Sequence, residues 1–352
     1  MLTSNSRTFA GCSDGDFVFM KRAIQFLTVS LLLFTGGLLI AGCAAAQYKA
    51  PPNTLKVSGL NTHFSFEWAQ SRFGDRLEPH SALLVPVVIE GSPKTLYMQF
   101  DLGTPSTVLK ANKLKSLQER LGRWPTVTEG DAAFASKVEF RVGNLTLSSD
   151  RIKVRKVGET SAIDWDNPES IDVIGTIGSD LLDGRVLVID YTNKDLFLGD
   201  HVPEGVVLSS AMSPFTFKER RVILQDVAID GKKTQLMLDT GSSAFALLTD
   251  KTTWQRMTSN GAGATTFPVN SWGKTLTAHM APTKSRIRFG ATEIPLGSAT
   301  YIEGTSFMQN MLMRATGMGG MTGNKLFVDR ALVLDARTLT YAVTSGKTEP
   351  VR

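Results

Sequence analysis

The chain contains two copies of one sequence block, and this repeat limits the fold more than any other feature. Residues 87–103, VVIEGSPKTLYMQFDLG, match residues 227–241, VAIDGKKTQLMLDTG. Each copy predicts a strand, a turn at an acidic residue followed by glycine, a second strand, and then Asp-x-Gly. The two aspartates are Asp101 and Asp239. Because the same order recurs in both halves, we expect two related lobes.

A second block is repeated downstream of each aspartate. GSDLLDGRVLVIDY, residues 178–191, matches GNKLFVDRALVLDA, residues 323–336. In both copies the same spacing of twelve residues separates the glycine from an aspartate, Asp190 or Asp335. These aspartates end predicted strands at turns, so we interpret them as structural. Two blocks in the same order in both halves are not expected by chance.

Short runs of alternating apolar and polar residues, separated by turn residues, fill the sequence between the blocks. This pattern is typical of β-strands, and the long amphipathic crossovers of a parallel α/β sheet are not seen in the sequence. One short helix is predicted after each aspartate loop, with Asn112 and Asp250 as the N-caps. We therefore predict an all-β, bilobal fold from an internal duplication, with lobes at residues 81–200 and 205–346.

The repeated motif resembles the half-sites of the pepsin and retropepsin aspartic peptidases. A strand ending in Asp-Thr/Ser-Gly-Ser/Thr carries the resemblance, together with a distant apolar-apolar-Gly segment, here VIGTIG (173–178) and GGMTG (319–323). The resemblance implies the pepsin/retropepsin-like acid protease fold, with Asp101 and Asp239 as a catalytic dyad. It also implies a peptide or protein substrate, no cofactor and no metal. A monomer is expected, because both half-sites lie in one chain.

The chemistry of such a dyad explains the residues around it. Two carboxylates held close together cannot both ionise, so one proton is shared and the two pKa values of the pair separate. Gly103 and Gly241 allow backbone N–H groups to approach the carboxylates. The resemblance implies that the hydroxyls of Thr104 and Ser242 hydrogen-bond the outer carboxylate oxygens. It also implies that Thr240 bonds the backbone of the opposite loop.

The first loop departs from the family pattern at Leu102, where the second loop has Thr240. Leucine has no hydroxyl, so a buried backbone group loses a partner at a cost of about 1–3 kcal/mol. The hairpin FRVGNLTLSSD (140–150) also lacks the tyrosine that the family carries over its cleft. Trp165 is a candidate to cover the cleft in place of this tyrosine, although we favour its interpretation as an ordinary loop aromatic. Two alternatives therefore stay open: an inactive lipoprotein that binds peptides or envelope components, and a structural lipoprotein.

The N-terminal sequence MKRAIQFLTVSLLLFTGGLLIAGC, ending at Cys43, has the basic start, apolar stretch and small residues of a secretory signal. Its LIAGC end resembles the bacterial lipoprotein signal, in which cleavage leaves a lipid-modified cysteine, here Cys43. A plain transmembrane anchor is the alternative. We interpret residues 1–19 as a non-native extension, 20–42 as the signal peptide and 43–80 as a tether and N-terminal segment.

The remaining sequence features indicate the location and partners of the protein. By resemblance to Gram-negative lipoproteins, Ala44 after the cysteine points to the outer membrane, with the protein facing the periplasm. The 38 basic and 33 acidic residues are scattered, so no nucleic-acid partner is expected. Residues 306–321 are rich in methionine, whose thioethers can bind Cu(I). We favour a role for these methionines as the apolar wall of a cleft or as core filling. The four histidines have no metal-ligand spacing.

Overall fold

The computed structural model describes residues 49–156, 161–206, 208, 211–271, 274–304 and 318–344. Cys43 and the predicted signal segment lie outside these residues. Within them, no helix has both the length and the apolar character needed to cross a membrane.

The first lobe consists of two sheets and one α-helix. Its elements are β1 (Lys56–Ser58), β2 (Thr62–Ser65), β3 (Glu67–Phe73), β4 (Arg76–Val87), β5 (Leu96–Phe100), β6 (Val108–Lys110), α1 (Ala111–Leu121), β7 (Thr126–Glu129), β8 (Ala132–Ala135), β9 (Val138–Val142), β10 (Leu145–Ser149), β11 (Ile152–Arg155), β12 (Val173–Ile177), β13 (Val186–Asp190) and β14 (Asp195–Gly199). One sheet has the strand order β3-β4-β5-β12-β6-β11-β8-β7, and the other has the order β1-β10-β9. The remaining strands, β2, β13 and β14, lie in a sheet shared with the second lobe.

The second lobe repeats this plan around one further α-helix. Its elements are β15 (Ser213–Thr216), β16 (Ile223–Ile229), β17 (Lys232–Leu238), α2 (Lys251–Met257), β18 (Thr265–Ser271), β19 (Lys274–Pro282), β20 (Arg286–Phe289), β21 (Thr292–Pro295), β22 (Ser298–Glu303), β23 (Met318–Thr322), β24 (Ala331–Asp335) and β25 (Thr340–Val343). Short 3-10 turns lie at Ser179–Leu181, Lys218–Arg220, Thr240–Ser242 and Asn324–Phe327.

The two copies of the repeated block have the same strand pairing. In each lobe an antiparallel hairpin, β4–β5 or β16–β17, delivers the aspartate, and its second strand pairs in parallel with β12 or β23. The N–H of Asp101 donates to the carbonyl of Ile177 at 3.0 Å, and the N–H of Asp239 donates to that of Thr322 at 2.9 Å. The predicted all-β, bilobal fold from an internal duplication is therefore confirmed.

The second repeated block joins the lobes. β13 and β24 pair antiparallel with a register centred on Val188 and Val333, so equivalent strands of the two lobes meet at the symmetry axis. The strands end at Asp190 and Asp335, and each carboxylate accepts a backbone N–H from the turn that follows. This placement agrees with a structural interpretation of both aspartates. One continuous sheet of eleven strands surrounds this pair.

Each lobe has one α-helix among the described residues, as predicted, but only one of the two N-caps was predicted correctly. Asp250 caps α2 and accepts two backbone N–H groups of its first turn. Asn112 lies inside α1, which begins at Ala111 with Lys110 in the N-cap position and no side-chain cap. β6 runs directly into this helix, so no loop residue is left to cap it. The Asn112 amide instead donates to the carbonyl of Ser161.

The N-terminal segment is part of the folded body. β1 pairs with β10, β2 pairs with β14, and β3 pairs with β4. The β3–β4 hairpin extends from the first lobe onto the second, where Phe73 joins an apolar cluster with Phe245 and Met280. The ring of Phe73 stacks on that of Phe267 with 4.4 Å between centroids. Residues 43–80 therefore include structural strands as well as any tether.

Candidate active site

The two predicted catalytic aspartates are brought together at the ends of β5 and β17. Their side chains are almost fully buried, with Asp101 2% exposed and Asp239 0% exposed. A methyl group added to Gly103 would overlap the Asp239 carboxylate, and one added to Gly241 would overlap the Asp101 carboxylate. The glycine of each loop thus makes room for the carboxylate of the opposite loop. This interlocking places both carboxyl groups at one point between the lobes.

The first loop holds the Asp101 carboxylate with two hydrogen bonds. The Gly103 N–H donates to Asp101 Oδ1 at 2.8 Å. The Thr104 hydroxyl donates to Asp101 Oδ2 at 2.8 Å. These contacts orient the carboxylate, and the threonine hydroxyl binds the side chain in the way that the family resemblance implies.

The second loop holds Asp239 in a similar way. The N–H groups of Gly241 and Ser242 donate to Asp239 Oδ1 at 2.9 and 3.1 Å. The Ser242 hydroxyl donates to Asp239 Oδ2 at 3.0 Å. Hydroxyls at matching positions, three residues after each aspartate, therefore support both halves of the dyad.

The electrostatics of the dyad separate the roles of its two carboxyls. Burial raises the pKa of Asp239 well above its ordinary value, and the charge of Asp101 and a hydrogen bond between the two carboxyls raise it further. The hydrogen bonds from Ser242 oppose this rise in the pKa of Asp239 but do not cancel it. Asp239 therefore favours its protonated form. The titration itself belongs to the pair.

The Thr240 hydroxyl connects the two aspartate loops, and Leu102, where the sequence departs from the family pattern, supplies no second hydroxyl. Thr240 Oγ1 accepts the N–H of Leu102 at 2.8 Å and donates to the carbonyl of Phe100 at 3.1 Å. Leu102 lies opposite, fully buried in the main apolar cluster, where its side chain packs without hydrogen bonding. The bond across the axis is therefore made from the second lobe to the first and has no side-chain counterpart in the other direction.

The apolar-apolar-Gly segments pack directly behind the loops. A methyl group on Gly178 would overlap the carbonyl of Thr104, and one on Gly323 would overlap the carbonyl of Ser242. Glycine at these positions lets β12 and β23 approach the loops closely. The downstream segments thus support the backbone that carries the two outer hydroxyls.

Two supporting residues were not predicted from the sequence. Ser179 donates its N–H to the carbonyl of Thr104 at 2.8 Å, and its hydroxyl donates to the carbonyl of Arg220 at 2.6 Å. The Asn324 amide donates to the carbonyl of Thr240 at 2.9 Å and accepts the Tyr191 hydroxyl at 2.7 Å. Both residues directly follow the repeated glycines. Their matching positions in the two copies are the sequence signal that marks them.

Asp180 is a third support that sequence reasoning missed. Its carboxylate accepts the Thr107 N–H at 2.7 Å and the Thr107 hydroxyl at 2.8 Å, which closes the first loop from behind. Complete burial raises the pKa of Asp180 to about 6, although the bonds from Thr107 and the charge of Arg220 lower it. This carboxyl is therefore a buried titratable group that supports the site.

The two features considered as covers for the cleft, the hairpin at residues 140–150 and Trp165, lie elsewhere. The β9–β10 hairpin pairs with β1, and its turn at Gly143 packs against Phe64 in the core. Trp165 is half-buried against the first-lobe core and donates its indole N–H to the Ser116 hydroxyl at 3.1 Å. This contact agrees with the interpretation of Trp165 as a loop aromatic.

Metal-binding chemistry has little support in the described part of the chain. There, no group of three or more His, Cys, Asp or Glu side chains is placed to hold a metal ion. Of the methionine-rich segment, only Met318 and Met321 fall within these residues, both in β23. Met321 is buried in the second-lobe cluster and Met318 packs against it, as core filling would require.

Comparison with solved structures finds the crystal structure of the aspartic proteinase from Irpex lacteus, with a TM-score of 0.44 and 13% sequence identity. The likeness covers 76% of this chain and 95% of that chain. No family model matches the chain, and no curated protein matches it. The fold assignment rests on the strand topology and on the duplicated aspartate loops described above.

Proposed function

We propose that the protein is an aspartic endopeptidase in which Asp101 and Asp239 hydrolyse a peptide bond through an activated water molecule. The interlocked aspartate loops carry this proposal. Each carboxylate is held by a glycine N–H and a hydroxyl of its own loop and lies against the glycine of the other loop. Burial and mutual repulsion make the pair share a proton, which is the state that the chemistry requires.

The two carboxyls take different steps in the proposed reaction. The Asp101 carboxylate removes a proton from a water molecule, and the water oxygen attacks the peptide carbonyl carbon. At the same time the Asp239 proton passes to the carbonyl oxygen. The resulting tetrahedral diol then collapses as Asp239 takes back a proton from a diol hydroxyl, the C–N bond breaks, and the proton held by Asp101 passes to the leaving nitrogen. The raised pKa of Asp239 supports its role as the acid that polarises the carbonyl.

Digestion of a peptide library from acidic to neutral pH tests the dyad. We expect Asp239→Asn to lower the rate at least about 1,000-fold, because the acid and the shared proton are both lost. Asp150→Asn is the matched control, since this exposed aspartate lies away from the loops, and it should cleave like the parent. Cleavage that survives in Asp239→Asn would exclude the proposed dyad.

A second candidate function is an inactive lipoprotein that binds peptides or envelope components. Leu102 favours it, because position 102 has no hydroxyl to bond the backbone of the second loop as Thr240 bonds that of the first. Carboxylates that are displaced by about 1 Å can lose about 100-fold in rate. Peptide binding by the parent without cleavage at any pH would favour this function over the peptidase.

A lipid anchor on Cys43 and an outer-membrane location facing the periplasm remain part of the proposal. The support is the LIAGC sequence and Ala44, both read from the sequence. Cys43→Ser should abolish labelling of the protein by radioactive palmitate and release it from the membrane fraction. Cys12→Ser is the matched control, because Cys12 lies in the predicted extension. Labelling that persists in Cys43→Ser would refute the anchor.

A further inference from the structure

A cavity of about 560 Å³ lies between the tip of the β3–β4 hairpin and the second lobe. Neither Asp101 nor Asp239 lines it. Of its described lining residues, Arg76 at the start of β4 comes from the first lobe and the others come from the second, including the ends of β19 and β21. The cavity is therefore a feature of the contact between the lobes and is separate from the dyad.

The inner wall of the cavity is apolar and its edge is basic. Met280, Ile294 and Leu296 line the wall. The edge carries three cationic side chains, those of Arg76, Lys325 and Arg330, and the carboxylate of Asp329. A volume of this size lies within the range of about 300–1,000 Å³ that small-molecule sites occupy. The combination suits a ligand with an apolar body and a negative group.

Two of the three cations are already neutralised. Lys325 Nζ lies 2.6 Å from the buried carboxylate of Glu78. Arg330 Nε lies 3.5 Å from Asp329, and its Nη1 donates to the carbonyl of Thr344 at 3.2 Å. These pairs fix the edge of the cavity but leave little unbalanced charge there. The three cations thus face two carboxylates, those of Glu78 and Asp329, which leaves one unbalanced positive charge, and Arg76 is the most exposed of the three cations.

Arg76 makes only weak contacts with the protein. Its Nη1 lies 3.7 Å from the thioether sulfur of Met280, which is a poor acceptor. Its Nη2 lies 3.7 Å from Glu78, beyond the normal range for a hydrogen bond. The side chain is 52% exposed. Most of its five N–H donors are thus available to an anion, which a guanidinium binds in bidentate geometry.

We propose that this cavity binds a small amphiphile with a single carboxylate or phosphate head group. The head group binds the guanidinium of Arg76, and the apolar body lies against Met280, Ile294 and Leu296. Because Arg76 belongs to the first-lobe hairpin and the wall belongs to the second lobe, the bound amphiphile connects the two lobes. The site is independent of the proposed peptidase activity.

Isothermal titration calorimetry of the full folded chain tests the head-group contact. We expect decanoate or decyl phosphate to bind the parent, and comparing the two identifies the preferred head group. Arg76→Met should weaken binding of that anion at least about tenfold, since it removes a charge-assisted bidentate contact. Arg72→Met is the matched control, because Arg72 is an exposed arginine on the same hairpin that does not line the cavity.

Two further measurements locate the ligand. Decanol, which lacks the charge, should bind equally to the parent and to Arg76→Met. Thr265→Trp places a large side chain at an exposed residue that lines the cavity, and it should block both decanoate and decanol. Asp239→Asn should bind decanoate like the parent, which separates this site from the dyad. Equal affinity of the anion for the parent and Arg76→Met, or no binding of either anion to the parent, would overturn the proposal.

Discussion

At the residue scale, the dyad is symmetric in its hydroxyl contacts and asymmetric in its loop-to-loop bond. Thr104 and Ser242 bind their own carboxylates with similar distances. Thr240 alone reaches the opposite loop, where it bonds both the N–H of Leu102 and the carbonyl of Phe100. The first loop, which carries Asp101, is therefore held by a hydroxyl of the second, whereas the second loop, which carries Asp239, receives no such bond from Leu102.

A threonine at position 102 is expected to raise the rate of peptide cleavage. Leu102→Thr restores a hydroxyl that can bond the second loop, and we expect kcat to rise about tenfold through better placement of the carboxylates. Leu102→Val is the matched control, because valine has the shape of threonine and no hydroxyl. Both variants lose similar buried volume, so the difference between them isolates the hydroxyl. Equal kcat values for the two variants would show that the missing hydroxyl has no effect on catalysis.

The buried Asp180 makes the stability of the protein depend on pH. The pKa of Asp180 is about 6 in the folded chain, against an ordinary value of 3.8. Since the folded pKa is the higher one, Asp180 contributes stability below about pH 4, and this contribution is lost as the pH rises through about 6. The loss amounts to about 3 kcal/mol.

Asp180→Asn should remove this dependence. We expect the free energy of unfolding of the variant, measured in urea at pH 4 and pH 7, to change less between the two conditions than that of the parent. Asp183→Asn, at a half-exposed carboxylate in the same segment, should keep the parent's dependence. The comparison uses the change with pH, so a constant offset in the stability of Asp180→Asn does not affect it. An unchanged dependence in Asp180→Asn would contradict the assignment.

At the scale of the elements, the β3–β4 hairpin connects the lobes with an aromatic contact. Phe73 is 4% exposed and lies in the second-lobe cluster, with its ring parallel to that of Phe267. Glu78, on the same hairpin, pairs with Lys325 of the second lobe. The hairpin is thus part of the first lobe in sequence, but its tip packs against the second lobe.

Removing the aromatic ring should destabilise the protein strongly. Phe73→Ala is expected to lower the free energy of unfolding by about 3–5 kcal/mol, as loss of a buried phenylalanine does. Leu77→Ala on the same hairpin is the control, because Leu77 is 47% exposed, and its effect should stay within about 0.5 kcal/mol. Urea unfolding measures both. Similar small effects would show that the hairpin is not docked in solution.

A network of salt bridges and hydrogen bonds holds the loop before β12. The ammonium groups of Lys94 and Lys113 bind the buried carboxylate of Asp172 at 3.0 and 2.7 Å. Burial acts to raise the pKa of Asp172, but the hydrogen bonds from the two lysines and from Ser170 lower it below its ordinary value. Lys94 also donates to three backbone carbonyls of the loop. This network fixes the strand that carries Gly178 to the aspartate loop.

At the scale of the whole molecule, the lobes share a sheet and an apolar cluster. β13 of the first lobe pairs along its full length with β24 of the second. The main core cluster contains residues of both lobes, including Leu187 and Leu334. Neither lobe closes its own core without the other, so the fold is expected to be cooperative across the chain.

We therefore expect a single unfolding transition. Variants that keep only Trp124 in the first lobe, or only Trp254 in the second, should report the same fluorescence midpoint. Both tryptophans are buried and report on their own lobes. Calorimetry should give one peak whose calorimetric and van't Hoff enthalpies agree. Two separated midpoints would mean that the lobes unfold independently.

The sequence by itself determined the duplication, the β class of the lobes and the identity of the paired aspartates. These follow from short-range patterns, because a strand-turn-strand block with Asp-x-Gly is readable within about twenty residues. The N-cap at Asp250 follows from equally local chemistry, whereas the one expected at Asn112 failed because β6 continues into the helix.

The tertiary structure alone decided how the two halves meet. Gly103 and Gly241 donate their backbone N–H groups to the aspartates of their own loops, as predicted, but the sequence did not show that the absence of a side chain at each also leaves room for the opposite carboxylate. The support from Asn324 and the crossing of the hairpin at Phe73 depend on contacts between residues far apart in the chain. A local pattern carries no record of its distant partner, so these contacts appear only when both lobes are folded against each other.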